Sequence, residues 1–286
     1  MLILGSTGML GQSLIKTAKE SNIEVTGIAR SNADINLDIL NFDKLISLIR
    51  KIKPKTIVNC VAISSIDLCE ANVEESYLHN AHLVAVLVDV CLELDIYLIH
   101  ISTDHFFIND GRRKHDEKSP VVLVNNYAKT KYAGEQFALS YSKSLVIRTN
   151  IVGFRNTQSH TFVEWVLLSL KNKNEITLFQ DFYTSSIDVY SFSKILLKIN
   201  NRDKPIYGLV NIASSEVCSK EEFIKKLAHT FNYYNPKFNL GSIESIEGTK
   251  RAESIGLDVS KIEKLLDEKM PTTNDVVLSL CKNWIN

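Results

Sequence analysis

The sequence predicts an α/β protein built on a Rossmann-type, doubly wound parallel sheet, with a smaller C-terminal substrate-binding lobe. Two observations lead to this prediction. A glycine-rich turn directly follows the first apolar run, as in dinucleotide-binding folds. Short apolar runs also alternate with longer helical patterns, which favours parallel strands covered on both faces. The runs lie at residues 2–4, 23–28, 56–61, 97–102 and 145–149.

The remaining elements follow the same reasoning. Helical patterns separate the strands of the first half, and after about residue 150 the alternation becomes less regular. Ser219 and Glu222 have the spacing of a capping box, which predicts a helix start. Predicted helices cover residues 11–20, 42–52, 74–94, 161–171, 189–199, 220–231, 258–266 and 274–284, and extended segments cover 175–179 and 209–213.

We predict two domains that alternate along the chain. The dinucleotide-binding domain covers residues 1–155 and also 186–215, and the substrate-binding lobe covers 156–185 and 216–286. The sequence has no internal repeat, low-complexity tract or glycine-serine linker. We therefore expect a packed lobe and not a flexibly tethered module.

The composition excludes several classes of protein. The 286 residues suffice for a large core, and 33 basic residues balance 33 acidic ones, which argues against non-specific binding to nucleic acid or membrane surfaces. The five scattered cysteines form no C-x-x-C pair and are expected to be reduced thiols. The first strand begins at residue 2 without a preceding signal peptide, and acidic residues interrupt the apolar region 83–101. We therefore expect a cytoplasmic protein without a membrane span.

The turn Gly5-x-x-Gly8-x-x-Gly11 is the first candidate site. It follows a strand and opens a helix, so its backbone can approach a pyrophosphate while the helix N-terminus points at the phosphate. A glycine motif alone is weakly specific, but this one has the required strand–turn–helix context. The alternative is a glycine-rich turn that binds no ligand.

The end of the second strand indicates which dinucleotide binds. It reaches Arg30 without the acidic residue typical of NAD sites, and an Arg there can accommodate the 2′-phosphate of NADPH. We predict NADPH as the cofactor and NADH as the alternative; the less favoured interpretation of Arg30 is a residue in a solvated loop. By position, Asp38 and Ile39 would meet the adenine and Ala62 and Ile63 the adenosine ribose. All four could instead pack the ends of the sheet.

The fourth strand and a later helix supply candidate catalytic residues. Ligands of such sheets bind beyond the carboxyl ends of the strands, where Ser102, Thr103 and Asp104 are delivered. A hydroxyl there can donate a hydrogen bond to a substrate carbonyl. Tyr127 and Lys131 are four residues apart and share a helix face. The phenol can protonate the oxygen as a hydride reaches carbon, and the ammonium can lower the pKa of the phenol and reach the cofactor ribose.

Other polar residues have open assignments. His105 could act as a base, line a pocket or lie in the core. Ser64, Ser65 and Asp67 follow the third strand, where a substrate could bind, or they form turns and caps. The histidines show no metal-ligand spacing, so we predict no metal site.

Together these residues resemble the extended short-chain dehydrogenase/reductases, and within them the dTDP-4-dehydrorhamnose reductase family. The resemblance covers nearly the whole chain, and the Asp67 and Ser-Thr-Asp segments favour this family. Its anchors are Gly5-x-x-Gly8-x-x-Gly11, Asn59-x-x-Ala62, Asp67-x-x-Glu70, Asn80-Ala81, Ile101-Ser102-Thr103-Asp104, Tyr127-x-x-x-Lys131, Arg148-Thr149 and Gly256-Leu257-Asp258.

The resemblance implies reduction of a 4-keto group on a nucleotide-activated deoxysugar. The implied catalytic residues are Thr103, Tyr127 and Lys131. The residues expected at the substrate are Ser64, Asp104, His105 and Asn150. The residues expected at the cofactor are Gly5, Thr7, Gly8, Met9, Leu10, Gly11, Arg30, Asp38, Ile39, Ala62, Ile63, Ser64, Ser102, Tyr127 and Lys131.

Three departures from the family pattern fall around the expected sugar pocket. His105 stands where the family often has Tyr, Asn150-Ile151 replace Ser-Trp, and a proline usual near Ser186 is missing. The cofactor and proton-transfer residues are intact. We therefore expect the reaction type to be retained, and the sugar, its nucleotide carrier and the product stereochemistry stay open.

Two alternatives compete with a reductase. A sugar-nucleotide dehydratase or epimerase would hold NAD tightly, but dehydratases usually have Glu directly after Thr-Asp, where this chain has His105. A non-catalytic regulatory subunit, such as that of methionine adenosyltransferase, can use the same fold, although the intact Tyr127 and Lys131 argue against it. The expected partner is a nucleotide sugar, and the apolar helix 74–94 either packs on the sheet or pairs two chains as a homodimer.

Overall fold

The computed structural model describes residues 1–155 and 160–284. Its first part alternates strands and helices. The elements are β1 (Leu2–Leu4), α1 (Met9–Glu20), β2 (Thr26–Ala29), β3 (Ile35–Asn36), α2 (Phe42–Ile52), β4 (Thr56–Asn59), α3 (Ile66–Ala71), α4 (Val73–Tyr77), a π-helical segment (Leu78–His82), α5 (Leu83–Leu94), β5 (Tyr97–Ile101), α6 (Asn126–Leu139) and β6 (Ser144–Arg148).

The second part contains shorter strands. The elements are β7 (Ile151–Val152), α7 (Phe162–Lys171), β8 (Ile176–Phe179), β9 (Tyr183–Thr184), β10 (Ile187–Asp188), α8 (Val189–Asn200), β11 (Gly208–Asn211), β12 (Cys218–Ser219), α9 (Lys220–Thr230), β13 (Phe238–Gly241), a 3₁₀ turn (Ile243–Ser245), β14 (Ser254–Ile255), α10 (Ser260–Leu266) and α11 (Thr273–Asn283).

Seven strands form the central sheet, in the order β11-β6-β5-β4-β1-β2-β3. Every pairing from β6 to β3 is parallel, which confirms the predicted α/β fold with a doubly wound parallel sheet. The chain winds outward from β1 to β3 and then returns to build β4 to β6 on the other side of β1. The strand order therefore reverses between β1 and β4, and sheets of this kind bind ligands at the carboxyl edge of that reversal.

The strand ends differ from the predicted ones for reasons of pairing. The predicted strand 23–28 begins only at Thr26, because its partner β1 begins at Leu2, which is aligned with Thr26. The predicted strand 56–61 ends at Asn59, where the Asn59 side chain accepts a hydrogen bond of 3.1 Å from the amide of Val61 and turns the chain. Apolar runs thus extend beyond the paired residues.

A hydrophobic cluster joins the sheet to α2 and α5. The strands β1 and β4 are buried along their whole length, as expected for a sheet covered on both faces. The cluster's buried members are Leu2, Leu4, Ile28, Ile39, Leu45, Ile49, Ile57, Leu83, Leu87, Val90, Cys91, Ile96, Leu98 and Tyr141.

The predicted helix 74–94 contains three segments, α4, the π-helical segment and α5. By length and composition alone, Val73–Leu94 would be long and apolar enough to cross a membrane, with a mean hydropathy of 1.3. Here it serves as a core helix, because α5 supplies Leu83, Leu87, Val90 and Cys91 to the hydrophobic cluster. The helix also packs against α6.

The chain divides into two compact units. The first comprises Met1–Thr103, Leu123–Arg148 and Ser193–Val210, and the second comprises Asp104–Val122, Thr149–Phe192 and Asn211–Asn286. The predicted boundaries place four segments in the dinucleotide-binding domain that belong to the second unit in the structure. These segments are residues 104–122, 149–155, 186–192 and 211–215. The predicted lobe start at residue 156 lies outside the described residues.

The loop 104–122 groups with the second unit because its backbone pairs there. Phe107 accepts a hydrogen bond of 3.3 Å from the amide of Ser254, and His115 forms a parallel bridge with Leu257. The predicted capping box at Ser219 and Glu222 is confirmed at the start of α9.

Candidate active site

The glycine turn after β1 is closed by backbone hydrogen bonds that need glycine. The amides of Gly5 and Ser6 both donate to the carbonyl of Ile28, at 2.9 and 3.1 Å. Gly5 has a φ of +77°, a conformation that favours glycine. A Cβ at Gly11 would lie 2.3 Å from the Gly5 carbonyl oxygen, so the first turn of α1 can pack this closely only without a side chain.

The N-terminus of α1 offers backbone donors at the carboxyl edge of the sheet. Gly8 is the N-cap residue and has no side chain to cap the helix. The amides of the first turn carry the positive end of the helix dipole, which favours a phosphate. The Thr7 carbonyl accepts a hydrogen bond of 2.7 Å from the Gln12 side chain, which fixes the loop. Of the other expected residues, Met9 is half-buried and Leu10 is buried.

The residues expected near the adenosine lie in different environments. Arg30 and Asp38 are exposed, and the Asp38 carboxylate accepts a hydrogen bond of 3.1 Å from the amide of Leu40 within its own turn. Ile39 is buried in the hydrophobic cluster. Arg30 therefore remains accessible to a phosphate, whereas Ile39 also has a packing role.

The loop after β4 is held by a residue to which the sequence assigns no role. Ala62 and Ser64 are exposed and Ile63 is half-buried. The Asn80 side chain accepts a hydrogen bond from the Ile63 amide at 2.9 Å and donates one to the Ile63 carbonyl at 3.0 Å. It also donates to the Thr130 hydroxyl on α6 at 3.1 Å. Asn80 thus links the predicted cofactor loop to the helix that carries Tyr127 and Lys131.

Asn80 reaches this position because it lies in the π-helical segment. Such wide turns are frequent at functional sites. A Cβ at Gly134 of α6 would lie 2.1 Å from the Asn80 carbonyl oxygen. The glycine therefore permits the close approach of the two helices that brings the Asn80 amide to Thr130.

The start of α6 is anchored, and this positions Tyr127. The Asn125 side chain caps the helix by accepting a hydrogen bond of 2.8 Å from the Ala128 amide. The amide and side chain of Asn126 donate to Glu70 at 2.6 and 2.8 Å. Tyr127 is 8% exposed and packs with Ile66, Cys69 and Ile63 beside the loop after β4.

Lys131 lies one turn after Tyr127 on the same face of α6 and is buried. Its Nζ donates a hydrogen bond of 2.6 Å to the carbonyl of Ile101, the last residue of β5. Burial lowers the pKa of Lys131 to about 8, against the opposing effect of the Glu135 carboxylate. This hydrogen bond attaches Lys131 to the backbone two positions before Thr103. Thr103 is itself buried.

One further residue at this edge, Glu135, is missed by the sequence reasoning. The Ser102 hydroxyl donates to Glu135 at 2.9 Å, and Arg148 donates to the same carboxylate through Nε at 3.0 Å and through a terminal nitrogen at 2.6 Å. Glu135 continues the four-residue spacing of Tyr127 and Lys131, so helical periodicity could have indicated it.

In the second unit, Asp104 and His105 lie in a cluster of charged groups. Burial lowers the pKa of Lys220 to about 8, while Asp104 raises it. Burial, together with Lys220 and Arg251, lowers the pKa of His105 to about 4, so its imidazole is neutral at pH 7. The Lys220 Nζ also lies 4.1 Å from the ring centroid of Phe162. Lys220 is a further polar residue that no motif indicated.

Asn150 also belongs to the second unit. Its side-chain oxygen accepts a hydrogen bond of 2.9 Å from the Ser186 hydroxyl, which lies 3.0 Å from the Thr184 hydroxyl. Asn150 and Ser186 therefore contact each other, and both lie at or near positions where the sequence departs from the family pattern. Among the described residues, no group of three or more His, Cys, Asp or Glu side chains is arranged to hold a metal, and the five cysteines form no disulfide.

Comparison with known proteins finds relatives of two kinds, a methionine adenosyltransferase subunit and a sugar-nucleotide reductase. The methionine adenosyltransferase 2 subunit beta of Xenopus laevis is 29% identical over 273 residues, 92% of this chain and 81% of that protein. The dTDP-4-dehydrorhamnose reductase of Aggregatibacter actinomycetemcomitans is 31% identical over 183 residues, 63% of this chain and 60% of that protein.

The fold has close matches among solved structures. The crystal structure of dTDP-4-dehydrorhamnose reductase from Bacillus anthracis, in complex with NADP, aligns with a TM-score of 0.86 and 24% identity, covering 99% of this chain and 98% of that one. The family described as RmlD substrate binding domain matches residues 1–283. The resemblance inferred from the motifs is therefore confirmed, and the chain belongs to the RmlD substrate binding domain family, with dTDP-4-dehydrorhamnose reductases among its homologues.

Proposed function

We propose that the protein is an NADPH-dependent reductase of a 4-keto group on a nucleotide-activated deoxysugar. The observation that carries this proposal is the hydrogen bond between the Lys131 ammonium and the Ile101 carbonyl. It fixes Lys131 beside the segment that ends in Thr103, on the helix face that also bears Tyr127. We propose that Tyr127, Lys131 and Thr103 act together at the carboxyl edge of β5.

The residues present fit a dinucleotide. The positive φ of Gly5 and the close packing of Gly11 give a tight turn in front of the α1 N-terminus, where a pyrophosphate would bind. The exposed Arg30 would hold a 2′-phosphate, which favours NADPH over NADH. A related fold that binds NADP, in the Bacillus anthracis reductase, supports this assignment.

The protein contributes position and a proton. A bound nicotinamide would supply the hydride that reaches the carbonyl carbon. The Tyr127 hydroxyl donates its proton to the carbonyl oxygen, so hydride and proton together convert C=O to CH–OH. The Thr103 hydroxyl donates a hydrogen bond to the same oxygen, and Tyr127 then recovers a proton from solvent.

Lys131 has two roles in this scheme. With a pKa of about 8, its amine carries a positive charge at neutral pH. A nearby ammonium favours the charged form of a phenol, which makes proton release easier. Its anchoring to Ile101 holds the ammonium at a fixed place, and its remaining N–H groups would bind the cofactor ribose.

The residues proposed to recognise the sugar are those that the family resemblance implies, Ser64, Asp104, His105 and Asn150. The neutral imidazole of His105 suits a hydrogen bond to a hydroxyl better than an ion pair. The names of the homologues, dTDP-4-dehydrorhamnose reductases, support a nucleotide sugar as substrate. We further propose a cytoplasmic location, with no nucleic-acid or membrane partner.

NADPH oxidation with a panel of nucleotide-linked 4-keto sugars tests the proposal. Turnover of at least one member, followed at 340 nm and by identification of the reduced sugar, is expected. Stoichiometric NAD in the purified protein would instead favour a dehydratase or epimerase, because those enzymes recycle a tightly held cofactor.

A second candidate is a non-catalytic regulatory subunit. It is favoured by the relative from Xenopus laevis, the beta subunit of methionine adenosyltransferase 2, which matches 92% of this chain. The proton-transfer residues favour the reductase. Absence of turnover across the sugar panel, together with a stable complex with a methionine adenosyltransferase in size-exclusion chromatography, would support the regulatory function.

A further inference from the structure

Glu135 has no role in the proposed chemistry, yet it continues the face of α6 that carries Tyr127 and Lys131. The three residues recur every four positions, which places them in a row along the helix. Their exposed fractions are 8%, 2% and 0%, so the row becomes more buried towards Glu135. A carboxylate at the buried end of this row requires a physical explanation.

The Glu135 carboxylate is fully engaged by two residues. Arg148, at the end of β6, donates to both of its oxygens, at 2.6 and 3.0 Å. Ser102, directly after β5, donates its hydroxyl at 2.9 Å. One carboxylate therefore joins α6 to the carboxyl ends of two neighbouring strands.

Stability alone does not account for this ion pair. The side chains of Arg148 and Glu135 are 4% and 0% exposed, so both charges lost their water on folding. The mutual attraction of such a pair offsets that loss only with good geometry, and apolar side chains of similar volume often give equal or greater stability. The pair is better explained by the geometry it imposes.

That geometry concerns the residues just before Thr103. The carbonyl of Ile101 accepts from Lys131, the hydroxyl of Ser102 donates to Glu135, and the amide of Ser102 donates to Ile147 at 2.7 Å. The segment 101–102 is thus held from α6 on one side and from β6 on the other. A displacement of about 1 Å at reacting groups can reduce a rate about 100-fold.

We propose that Glu135, oriented by Arg148, is a positioning residue for proton transfer that fixes Thr103 and Lys131 relative to Tyr127. The proposal rests on the reductase function, since it assigns Glu135 a part in that reaction. It also has a consequence that does not depend on turnover. The Glu135 carboxylate favours the protonated form of Lys131, so removal of its charge makes Lys131 lose its proton at lower pH.

The double variant Glu135→Leu/Arg148→Met tests the proposal, because it removes both charges and fills the space with apolar atoms. We expect a Tm close to that of the wild type, an unchanged Kd for NADPH, and a kcat lowered about 10- to 100-fold with little change in KM. The single variant Glu135→Gln keeps the shape and removes only the charge, and it serves if the double variant does not fold.

Titration of Lys131, followed by NMR of the ¹⁵N-labelled side chain, supplies the readout that needs no substrate. The midpoint should move to lower pH in Glu135→Gln. The matched control is Glu93→Gln, which breaks the exposed bidentate pair with Arg50 and should change neither kcat nor the Lys131 midpoint.

The outcomes separate this proposal from the reductase function. A wild-type kcat and an unchanged Lys131 midpoint in the Glu135 variants would overturn it and leave the pair with a structural role only. If the wild-type protein reduces no sugar, the reductase function fails. In that case the titration still shows whether the Glu135 carboxylate raises the pKa of Lys131.

Discussion

The side-chain amide of Asn80 donates a hydrogen bond of 3.1 Å to the hydroxyl of Thr130, across 50 residues of sequence. The same amide group makes two hydrogen bonds to the backbone of Ile63. Asn80 therefore connects the predicted cofactor loop to the helix of Tyr127 and Lys131. This connection depends on the π-helical turn that carries Asn80 and on the missing side chain of Gly134.

Replacement of Asn80 by Leu should weaken cofactor binding. The change leaves the Ile63 amide and carbonyl without their partner, which should cost about 2 kcal/mol of folding stability. It should also raise the Kd for NADPH about 3- to 30-fold as the loop loses its anchor. Urea denaturation and fluorescence titration measure the two effects. The control Asn239→Leu changes an exposed residue of β13, and equal Kd changes in both variants would contradict the assignment.

Arg30→Ala should reduce affinity for NADPH and leave affinity for NADH unchanged. A hydrogen bond to a charged group contributes about 1.5–3 kcal/mol, so loss of a 2′-phosphate contact should raise the Kd for NADPH about 10-fold or more. Fluorescence titration with both dinucleotides measures this, and Arg30→Lys should retain part of the preference. A change of the same size for both dinucleotides would remove Arg30 from the 2′-phosphate site.

His105 should make the protein less stable in acid. Its pKa is about 4 in the folded protein and near 6.5 when unfolded, so between these values only the unfolded state binds the proton. Stability therefore falls as the pH is lowered through this window, by up to about 1.4 kcal/mol per pH unit. Below about pH 4 this contribution stays constant.

Urea denaturation of wild type and His105→Gln at pH 7.0 and 4.5 measures the effect. The wild type should lose about 2 kcal/mol more than the variant over this interval. His100, whose pKa burial also lowers, is present in both proteins, so its contribution cancels in the comparison. The same loss in both proteins would show that His105 does not keep a neutral ring in the fold.

Local patterns were sufficient to predict the parallel sheet and the glycine turn after β1. The buried run Leu2–Leu4, the glycine turn and the alternation of strands with helices depend on neighbouring residues only. The Tyr127 and Lys131 pair was predictable for the same reason, since helix periodicity places both on one face. Strand ends were less accurate, because the pairing partner sets them, as at Thr26.

Contacts between distant residues could not be predicted. Glu135 and Arg148 belong to different elements, and nothing in their local sequence indicates a buried pair. Asp104 raises the pKa of Lys220 although the two residues are more than 100 positions apart in the sequence, so the effect arises only in the folded second unit. The close approach of Asn80 to α6 likewise depends on Gly134 of another helix, because a Cβ there would lie 2.1 Å from the Asn80 carbonyl oxygen.

The rate of sugar reduction by Tyr127→Phe is the most direct test of proton donation by the Tyr127 hydroxyl. The variant keeps the ring that packs on Ile66 and Cys69 and loses only the hydroxyl. We expect kcat to fall at least about 100-fold, since a positioned proton donor contributes that much, while the Kd for NADPH stays within about twofold. Tyr132→Phe, on another face of α6, should retain wild-type activity. Wild-type turnover by Tyr127→Phe would show that the Tyr127 hydroxyl is not the proton donor.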